Sequence, residues 1–236
     1  MREVDFLRVV IDEPDVCSYL PDQTSRLPLE LPSGPLSGEQ VDILLKRGYR
    51  RSGMFFYKPM CPNCVACEAI RLNVATFSGN RSQRRALRRG DTELRFAIGN
   101  PTLDEERVLL FNRHRAERGL DHRDRSVDAA DYRAFLLNAP CMSAEIAIFL
   151  EKQLIAVSIA DVGTESLSAV YTFFDPDFAR YSLGTLAVMK QLQLATETGR
   201  KWLYLGLYVE ENRHLNYKAN YRPHQRMQNE KWLDFS

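Results

Sequence analysis

Four of the five cysteines lie in the first third of this 236-residue sequence, and three of them form a C-x2-C-x2-C run at Cys61, Cys64 and Cys67. Thiolates at this spacing can converge on one ion through a tight turn, and Pro62-Asn63 supplies turn-forming residues. A zinc or iron–sulfur site needs a fourth ligand, for which Cys17 is the candidate in this half of the chain. The run therefore predicts a structural metal site, with a loop of partly buried free thiols as the alternative.

A cluster of five arginines within nine residues is the second group with clear chemistry: Arg81, Arg84, Arg85, Arg88 and Arg89. In a helix over residues 82–89, three- and four-residue spacing places the first four arginines on one face. Guanidinium groups bind phosphates through paired hydrogen bonds, and no acidic residue interrupts the cluster. The cluster predicts a surface that binds a polyanion, with a solvated, salt-bridged helix as the alternative.

The strongest pattern for a framework that could position such residues covers residues 142–209. Three apolar, β-branched or aromatic runs come first, and short polar breaks bound them, as in an antiparallel meander. A helix over residues 183–198 with a stop at Gly199 and a strand over residues 202–209 follow. The polar breaks are Glu151-Lys152-Gln153, Gly163-Thr164-Glu165 and Asp175-Pro176.

The junction between the third strand and this helix has chemistry of its own. A helix that follows a tight turn points free backbone N–H groups at one spot, which suits a phosphate or a developing oxyanion. The turn over residues 180–185, which contains Gly184, resembles the cofactor loop of the GCN5-related N-acetyltransferase fold. An ordinary strand-to-helix turn is the alternative.

The remaining pattern predicts an α+β protein with two parts, a small cysteine-containing region over residues 1–90 and an acetyltransferase-like mixed sheet with helices over residues 91–236. The predicted strands cover residues 2–10, parts of 49–57, 92–98 and 228–233. The predicted helices cover residues 38–46 after the cap Ser37, 103–118, 129–137 after Ser126 or Asp128, and a short stretch within 212–219. Residues 19–38, rich in proline, are expected to form a surface loop.

Composition limits the possible classes of protein. The formal net charge is +1, so the chain as a whole lacks the charge of a general polyanion binder. No apolar run reaches the roughly 18 residues of a membrane helix. The N-terminal residues lack a signal-peptide core, and cysteines grouped in this way favour metal or thiol chemistry over disulfides. We therefore expect a cytoplasmic protein.

Several motifs together resemble the arginyl-tRNA–protein transferase family. In the N-terminal half these are CSYLPDQTSRLPLEL, GYRRSGMFFYKPMCPNCVACEAIRLNV and FSGNRSQRRALRRG; in the C-terminal half they are VYTFFDPDFARYSLGTLAVMKQ and LNYKANYRP. The chain length and the CPNCVAC form are similar to the bacterial branch of this family, the aspartate/glutamate leucyltransferases. One departure is Leu20, where relatives with a two-cysteine N-terminal motif have a second cysteine.

The resemblance implies transfer of leucine from leucyl-tRNA to proteins that begin with Asp or Glu, which creates a signal for degradation. No ATP or other cofactor is required, because the tRNA ester is already activated. Tyr217, Lys218, Phe174 and Asp175 would carry the catalysis, and backbone N–H groups over residues 174–177 would stabilise the oxyanion. Core packing is the alternative role for Phe174 and its neighbours Tyr171 and Phe173.

The resemblance also implies binding roles. Tyr181, Gly184 and Thr185 would face the terminal adenosine, while Tyr221 and Arg222 would help to close the pocket. A cation among Arg51, Lys58 and Arg71 would pair with the acidic side chain of the acceptor. The tRNA would contact Arg81, Gln83, Arg84, Arg85 and Arg88.

Three other functions fit parts of the sequence. Arginine in place of leucine would need only a different pocket shape. A coenzyme A-dependent N-acetyltransferase explains the fold, but neither the cysteine run nor the arginine cluster. A metal-bound nucleic-acid-binding module explains residues 61–89 but gives the large C-terminal part no role.

Overall fold

A computed structural model of the chain describes residues 4–119 and 126–236. Within these ranges the helices are α1 (Gly38–Lys46), α2 (Arg81–Glu93), α3 (Glu105–Glu117), α4 (Ala129–Tyr132) and α5 (Leu183–Glu197). One π-helical turn (Arg133–Leu137) continues α4, and two 3-10 turns cover Pro176–Tyr181 and Asn216–Asn220. The strands are β1 (Leu7–Ile11), β2 (Pro14–Val16), β3 (Thr24–Arg26), β4 (Leu29–Pro32), β5 (Arg50–Ser52), β6 (Phe55–Tyr57), β7 (Glu68–Asn73), β8 (Arg95–Gly99), β9 (Ser143–Leu150), β10 (Gln153–Val162), β11 (Ser166–Phe174), β12 (Trp202–Tyr208), β13 (His224–Gln228) and β14 (Lys231–Phe235).

The helices begin where side chains satisfy the free N–H groups of the first turn. Ser37 and Gln40 form a reciprocal cap at α1, and Asn80 and Gln83 form the same arrangement at α2. Asp104 caps α3 by accepting from the Arg107 N–H. These local signals are readable in the sequence and fix where each helix starts.

The main sheet contains eight strands in the order β14-β13-β7-β12-β11-β10-β9-β8. All neighbours are antiparallel except β11 and β12, which run parallel. The parallel pairing joins residues 166–168 of β11 to residues 202–204 of β12. In the described part of the chain the two strands pair no further with each other, so the sheet opens between them.

Two helices, α2 and α5, cover one face of this sheet. Leu186 of α5 is fully buried, and Gly90 of α2 lies against it. A Cβ atom added at Gly90 would stand 2.7 Å from Leu186 Cδ1, so glycine allows the two helices to approach closely. The arginine-rich helix is thereby fixed to the framework through its small-residue face.

The other face carries α3 and α1. Leu110 and Phe111 of α3 pack against Val157 and Phe173 of β10 and β11. Helix α1 packs on Tyr204 of β12 together with the small sheet β1-β4-β6-β5. Helix α1 and the small sheet of the N-terminal part therefore lie on the same face of the main sheet as α3, against β12.

Most of the predicted framework is confirmed. The meander is β9-β10-β11, and its breaks lie at the predicted polar residues. The predicted helices over residues 38–46 and 183–198 and the strand over residues 202–209 correspond to α1, α5 and β12. Asp128, one of the two candidate caps, caps α4.

Two expectations are wrong, and one strand was missed. Strand β7 was not predicted, although it pairs with both β12 and β13. The expected single strand over residues 228–233 is divided by the turn between β13 and β14, because Asn229 and Glu230 adopt positive φ angles. Within residues 212–219 the expected helix is reduced to the start of one 3-10 turn.

The α+β class is confirmed, and the parallel pair that separates around α5 is the arrangement of the GCN5-related N-acetyltransferase fold. The division of the chain near residue 90 stays a prediction; β7, from the N-terminal side of that boundary, pairs within the main sheet. Across residues 4–119 and 126–236, no helix combines the length and apolar character needed to cross a membrane.

Candidate active site

The opening between β11 and β12, which we call the β11–β12 cleft, contains a buried lysine. Nζ of Lys218, on the second 3-10 turn, donates a hydrogen bond of 2.6 Å to the Leu207 carbonyl of β12. Lys218 is 7% exposed. Where two strands separate, their backbone N–H and C=O groups lose their partners in the sheet and need other ones. Here the reactive amine of Lys218 is the partner of one such carbonyl.

The electrostatic surroundings of Lys218 favour its neutral form. Burial lowers the pKa of the ammonium well below its ordinary value, and the nearby positive charge of Arg50 lowers it further. A lysine with a lowered pKa can accept a proton at neutral pH. Lys218 can therefore act as a general base toward a group that enters the cleft.

Two tyrosines flank this lysine. Tyr217 is 44% exposed, and partial desolvation raises the pKa of its phenol. Tyr221 is buried and forms a hydrogen bond with the Thr185 side chain in the first turn of α5. The 3-10 turn that carries Lys218 is thus tied to the start of α5.

The start of α5 provides backbone donors. Its N-cap residue, Ser182, has φ 53° and makes no side-chain cap, so the first N–H groups of a 15-residue helix are not covered by that side chain. A Cβ atom built at Gly184 would lie 3.5 Å from Phe174 Cε1, so this turn lies beside the end of β11. The helix start suits a negative charge.

Helix α3 contributes two basic side chains near Phe174. Nδ1 of His114 lies 3.1 Å from the Phe174 carbonyl oxygen and 3.2 Å from the Phe174 nitrogen, and the two ring centroids lie 4.5 Å apart. Burial lowers the pKa of His114 to about 4, so this imidazole is neutral at pH 7. The guanidinium of Arg118 lies 6.0 Å from the Phe174 ring and lowers the pKa of Tyr217 against the effect of burial.

Arg50 of β5 lies directly on β12. A Cβ atom added at Gly206, where φ is +92°, would stand 1.4 Å from Nη1 of Arg50. The half-buried Arg50 also influences the pKa values of Lys218, Tyr217 and Tyr19. In the described ranges, its side chain has no carboxylate within ion-pair distance.

The predicted oxyanion donors over residues 174–177 have polar neighbours within the chain, and their role in catalysis stays a prediction. The N–H of Phe174 donates to His114, that of Asp175 to the Ile155 carbonyl, and that of Asp177 to the Asp175 side chain. Pro176 has no N–H. The catalytic roles of Phe174 and Asp175 themselves stay predictions; the Asp175 carboxylate is buried and pairs with Arg113 at 2.7 Å.

The three expected acceptor cations lie in three different environments. Arg51 pairs with Asp161 at 2.8 Å, and their side chains are 1% and 3% exposed. Lys58 pairs with the exposed Glu230 at 3.2 Å. The charges of Arg51 and Lys58 are thus already partnered by carboxylates.

Arg71 is held between two tryptophan rings. Its Cζ atom lies 3.7 Å from the Trp202 ring centroid and 4.0 Å from that of Trp232. Nε donates to Gln225 and Nη1 to the Tyr204 hydroxyl. This residue connects β7, β12 and β13 and borders a small pocket beside α1.

Two further predicted binding residues make structural contacts. The Tyr181 hydroxyl donates to Glu93 of α2 at 2.9 Å and is buried. The Arg222 guanidinium donates to the backbone carbonyl of Ser236. Gly184 and Thr185 are the members of the predicted adenosine loop that lie closest to the cleft residues described above.

Helix α2 presents its arginines to solvent as predicted. Arg81, Arg84, Arg85, Arg88 and Arg89 are all exposed, while Gln83, Ala86 and Gly90 face the protein. Arg84 donates to the Gly79 carbonyl, and Arg89 contacts Glu93 at 3.7 Å. For Arg81, Arg85 and Arg88 no side-chain ion pair occurs within residues 4–119 and 126–236.

Gln83 links this basic helix to the cleft. Besides capping α2, its Nε2 donates to the Asn220 carbonyl at 3.2 Å, on the 3-10 turn that carries Lys218. Phe77, just before α2, lies 6.4 Å from Tyr221. The helix that carries the arginines therefore contacts the 3-10 turn that carries Lys218.

The four N-terminal cysteines lie near one another. Burial raises the pKa of the Cys67 thiol to about 12, and the thiols of Cys61, Cys17 and Cys64 add to this effect. The backbone N–H of Arg26 also contacts Cys61 Sγ at 3.5 Å, which brings β3 to the cysteine run. Among the described residues, however, no three His, Cys, Asp or Glu side chains are arranged closely enough to hold a metal ion.

Sequence reasoning missed Arg50, Gly206, His114 and Arg118. The signal for Arg50 was available, because adjacent residues of a strand point to opposite faces. Of the pair Arg50 and Arg51, only one could face the buried Asp161. Nothing in the sequence indicated that Gly206 would leave space for the other.

Two family models match the chain. The N-terminal model of arginine-tRNA-protein transferase matches residues 15–85, and the C-terminal model matches residues 106–228. Together they cover most of the chain, including the cysteine run, the first five residues of α2, β11 and Lys218.

Relatives over nearly the whole length carry one name. The chain is 35% identical over 233 residues to an aspartate/glutamate leucyltransferase of Pseudomonas aeruginosa strain LESB58, and the aligned region covers 99% of each chain. It is 33% identical over 234 residues to that of Vibrio cholerae, with 98% coverage of each, and 36% identical over 232 residues to that of Aeromonas hydrophila, with 98% and 97% coverage.

Solved structures show more distant similarity. The C-terminal domain of a putative lysylphosphatidylglycerol synthetase from Agrobacterium fabrum matches with a TM-score of 0.48 and 18% identity, over 61% of this chain and 47% of that one. FemX matches with a TM-score of 0.45 and 8% identity, over 77% of this chain and 63% of that one.

Proposed function

We propose that this chain, which belongs to the arginine-tRNA-protein transferase family, transfers leucine from leucyl-tRNA to the N-terminal Asp or Glu of proteins and so marks them for degradation. The observation that carries the proposal is the similarity over the full length to aspartate/glutamate leucyltransferases. The geometry of the cleft supports it, because a lysine with a lowered pKa, a helix start and a basic surface are what aminolysis of a tRNA ester needs.

The proposed reaction is aminolysis of an ester. The α-amine of a protein has a pKa of about 7.7–8.0, so a useful fraction is neutral at pH 7. Its nitrogen attacks the leucyl carbonyl carbon, and the resulting oxyanion is stabilised by N–H groups at the start of α5. The amine proton passes to Lys218, the bond between the carbonyl carbon and the ribose oxygen breaks, and the ribose oxygen leaves with the proton that Lys218 returns to it through Tyr217.

Positioning would supply most of the remaining rate enhancement. Tyr217 is half exposed beside Lys218 and could relay the proton. Thr185 and Tyr221 hold the 3-10 turn against α5, which keeps Lys218 in register with the helix start. Phe174 and Asp175 form the opposite wall of the cleft in this proposal.

The tRNA would approach along α2. The exposed arginines offer phosphate contacts, and the hydrogen bond from Gln83 to Asn220 holds helix α2 against the turn that carries Lys218. The acceptor stem on α2 would leave the aminoacylated 3′ end free to enter the β11–β12 cleft.

The direct test uses purified protein, radiolabelled leucyl-tRNA and a peptide that begins with Asp. We expect label to appear in the peptide, and the same peptide with a blocked amine serves as the control. If label is transferred from arginyl-tRNA in preference to leucyl-tRNA, the transferred residue is arginine and not leucine. Transfer from acetyl-CoA alone, or retention of tRNA without transfer, would overturn the proposal.

We also propose that Cys17, Cys61, Cys64 and Cys67 hold a structural zinc ion or iron–sulfur cluster, outside the chemistry of transfer. The thiols of Cys61, Cys17 and Cys64 lie near enough to Cys67 to raise its pKa, which supports this assignment, although among the described residues no three of them converge as closely as bound ligands do. Elemental analysis should find stoichiometric zinc or iron in the native protein, less in Cys17→Ala, and the native amount in the control Cys141→Ser. Metal retained in Cys17→Ala would exclude Cys17 as the fourth ligand.

A further inference from the structure

The cation that recognises the acidic side chain of the acceptor has not been assigned above. We infer that Arg50 is this cation and that its guanidinium binds the side-chain carboxylate of the N-terminal Asp or Glu. The inference rests on the proposed leucyl transfer, and it concerns which residue selects the acceptor.

The first argument is position. Gly206 lies on β12 one residue before Leu207, whose carbonyl binds Lys218. Arg50 Nη1 occupies the space that any side chain at position 206 would fill. The guanidinium therefore lies at the β12 wall of the cleft, next to the amine that would take the proton from the acceptor.

The second argument is charge. The positive charge of Arg50 lowers the pKa values of Lys218 and Tyr217, so the guanidinium lies within electrostatic range of both groups. Within the described residues, no carboxylate pairs with Arg50, although the neighbouring Arg51 has Asp161. A half-buried guanidinium without a carboxylate is able to bind one from a substrate, because a guanidinium matches a carboxylate through two parallel hydrogen bonds.

The third argument is the chemistry of the surrounding wall. Tyr19 and Tyr57 form a hydrogen-bonded pair beside Arg50. Asn212 donates to the Tyr19 carbonyl at 2.9 Å, which ties this wall to the segment before the 3-10 turn. Neutral aromatic walls leave Arg50 as the charge that decides between acidic and neutral acceptors.

The geometry also relates selection to chemistry. An N-terminal residue carries its α-amine and its side-chain carboxylate only a few bonds apart. A carboxylate on Arg50 would therefore bring the α-amine toward Lys218, which is close enough to Arg50 to feel its charge. Recognition and proton acceptance would then act on the same residue of the acceptor.

The test compares Arg50→Gln and Arg50→Lys with the native protein, using peptides that begin with Asp, Asn, Glu and Gln. Hydrogen bonds to charged groups contribute about 1.5–3 kcal/mol, or roughly 10- to 100-fold in kcat/KM. We expect Arg50→Gln to lower kcat/KM for Asp and Glu peptides by about this factor and to abolish the preference over Asn and Gln. Arg50→Lys should restore part of the preference, and the exposed control Arg47→Gln should keep all of it.

Binding of leucyl-tRNA is measured on the same proteins by filter retention, and thermal unfolding checks that each variant folds. A native Asp-over-Asn preference in both Arg50 variants would overturn the inference and leave the proposed transfer intact. So would a loss of tRNA affinity with the preference unchanged, because the guanidinium would then bind RNA. No transfer by the native protein would overturn the proposed function itself.

Discussion

Lys218 is the residue whose hydrogen bond, burial and electrostatic surroundings together favour a catalytic role. Among the described residues its hydrogen-bond partner is the backbone carbonyl of Leu207, and no acidic side chain there pairs with it. Burial and Arg50 both disfavour the charged form. A residue buried at this desolvation cost, in the cleft where the sheet opens, is a strong candidate for catalysis.

The first prediction concerns the activity of Lys218→Met, which keeps the apolar stem and removes the amine. General base catalysis contributes typically about 10²–10⁴-fold. We expect kcat to fall within this range while KM for leucyl-tRNA stays nearly constant, because the amine acts on the reacting atoms. Lys152→Met, in an exposed turn, is the control. A kcat within threefold of the native value would remove Lys218 from the mechanism.

The second prediction concerns stability and pH. An unfolded lysine binds its proton up to a pKa of about 10.4, whereas folded Lys218 releases its proton at lower pH. Between these two pKa values the unfolded state binds more protons, so Lys218 makes the free energy of unfolding rise with pH, by up to about 1.4 kcal/mol per unit.

Removal of the amine removes this slope. The free energy of unfolding of Lys218→Met minus that of the native protein should therefore decrease as the pH rises from 7 to 10. Urea unfolding at several pH values measures this difference, in which the other titrating groups cancel. A difference that is constant with pH would show that Lys218 stays protonated in the folded protein.

At the residue scale, Lys218, Tyr217 and Tyr221 could be predicted from the sequence, because all three belong to one motif that resembles the family. Sequence reasoning named Arg51, whose charge pairs with Asp161, and not Arg50, which has no carboxylate partner among the described residues. The choice depends on which strand face meets the buried Asp161, and that carboxylate lies 110 positions away in the sequence. Pairing across such a separation is not readable from local pattern.

At the scale of elements, α2 joins the framework through one face and leaves the opposite face for a ligand. Gln83, Ala86 and Gly90 face α5 and the 3-10 turn, while the arginines face outward. Arg84 and Arg89 also contact backbone carbonyls, so their removal would disturb structure as well as charge. Arg85 and Arg88 are the better positions for testing a tRNA contact.

The third prediction uses the double variant Arg85→Ala and Arg88→Ala. The logarithm of the affinity falls with the logarithm of the salt concentration, and each lost phosphate contact should make this negative slope less steep by about 0.7–0.9. We expect KM for leucyl-tRNA to rise more than KM for the acceptor peptide. The control is Lys152→Ala with Lys231→Ala, which removes two exposed charges elsewhere. An unchanged salt slope in the arginine variant would exclude this face of α2 from tRNA binding.

Elements with strong local signals were predicted well, and those that depend on distant pairing were not. The meander and α5 have long periodic patterns with clear breaks. Strand β7 has a short, mixed sequence with Glu68 and Arg71, and its burial depends on β12 and β13 on either side. The last hairpin was read as one strand because its turn residues, Asn229 and Glu230, are not a strong turn pair.

At the scale of the whole molecule, the site needs both parts of the chain. Lys218, Gly206 and the start of α5 come from the C-terminal part, whereas Arg50, Tyr19 and Tyr57 come from the N-terminal part. Arg51 joins the two, because it connects β5 of the small sheet to Asp161 of β10 in the main sheet. The placement of Arg50 in the cleft therefore depends on the ion pair made by its neighbour.

The fourth prediction tests this connection with Asp161→Asn. The change leaves the Arg51 charge buried without a carboxylate, and Nη2 of Arg51 already lacks a partner among the described residues. Breaking a buried pair costs about 3–5 kcal/mol, whereas an exposed pair contributes about 0–1 kcal/mol. The control is Glu165→Gln, which removes the partner of Lys201 in a pair with 65% and 55% exposed side chains.

We expect Asp161→Asn to lower the free energy of unfolding by several times the effect of Glu165→Gln, and to raise KM for the acceptor peptide because β5 carries Arg50. The KM for leucyl-tRNA should change less, since α2 is attached to the opposite face of the sheet through α5. The double change Arg51→Leu with Asp161→Leu should recover part of the stability, because it leaves no unpaired buried charge. Equal effects of Asp161→Asn and Glu165→Gln on stability, or an equal rise of both KM values, would contradict a connection through this pair.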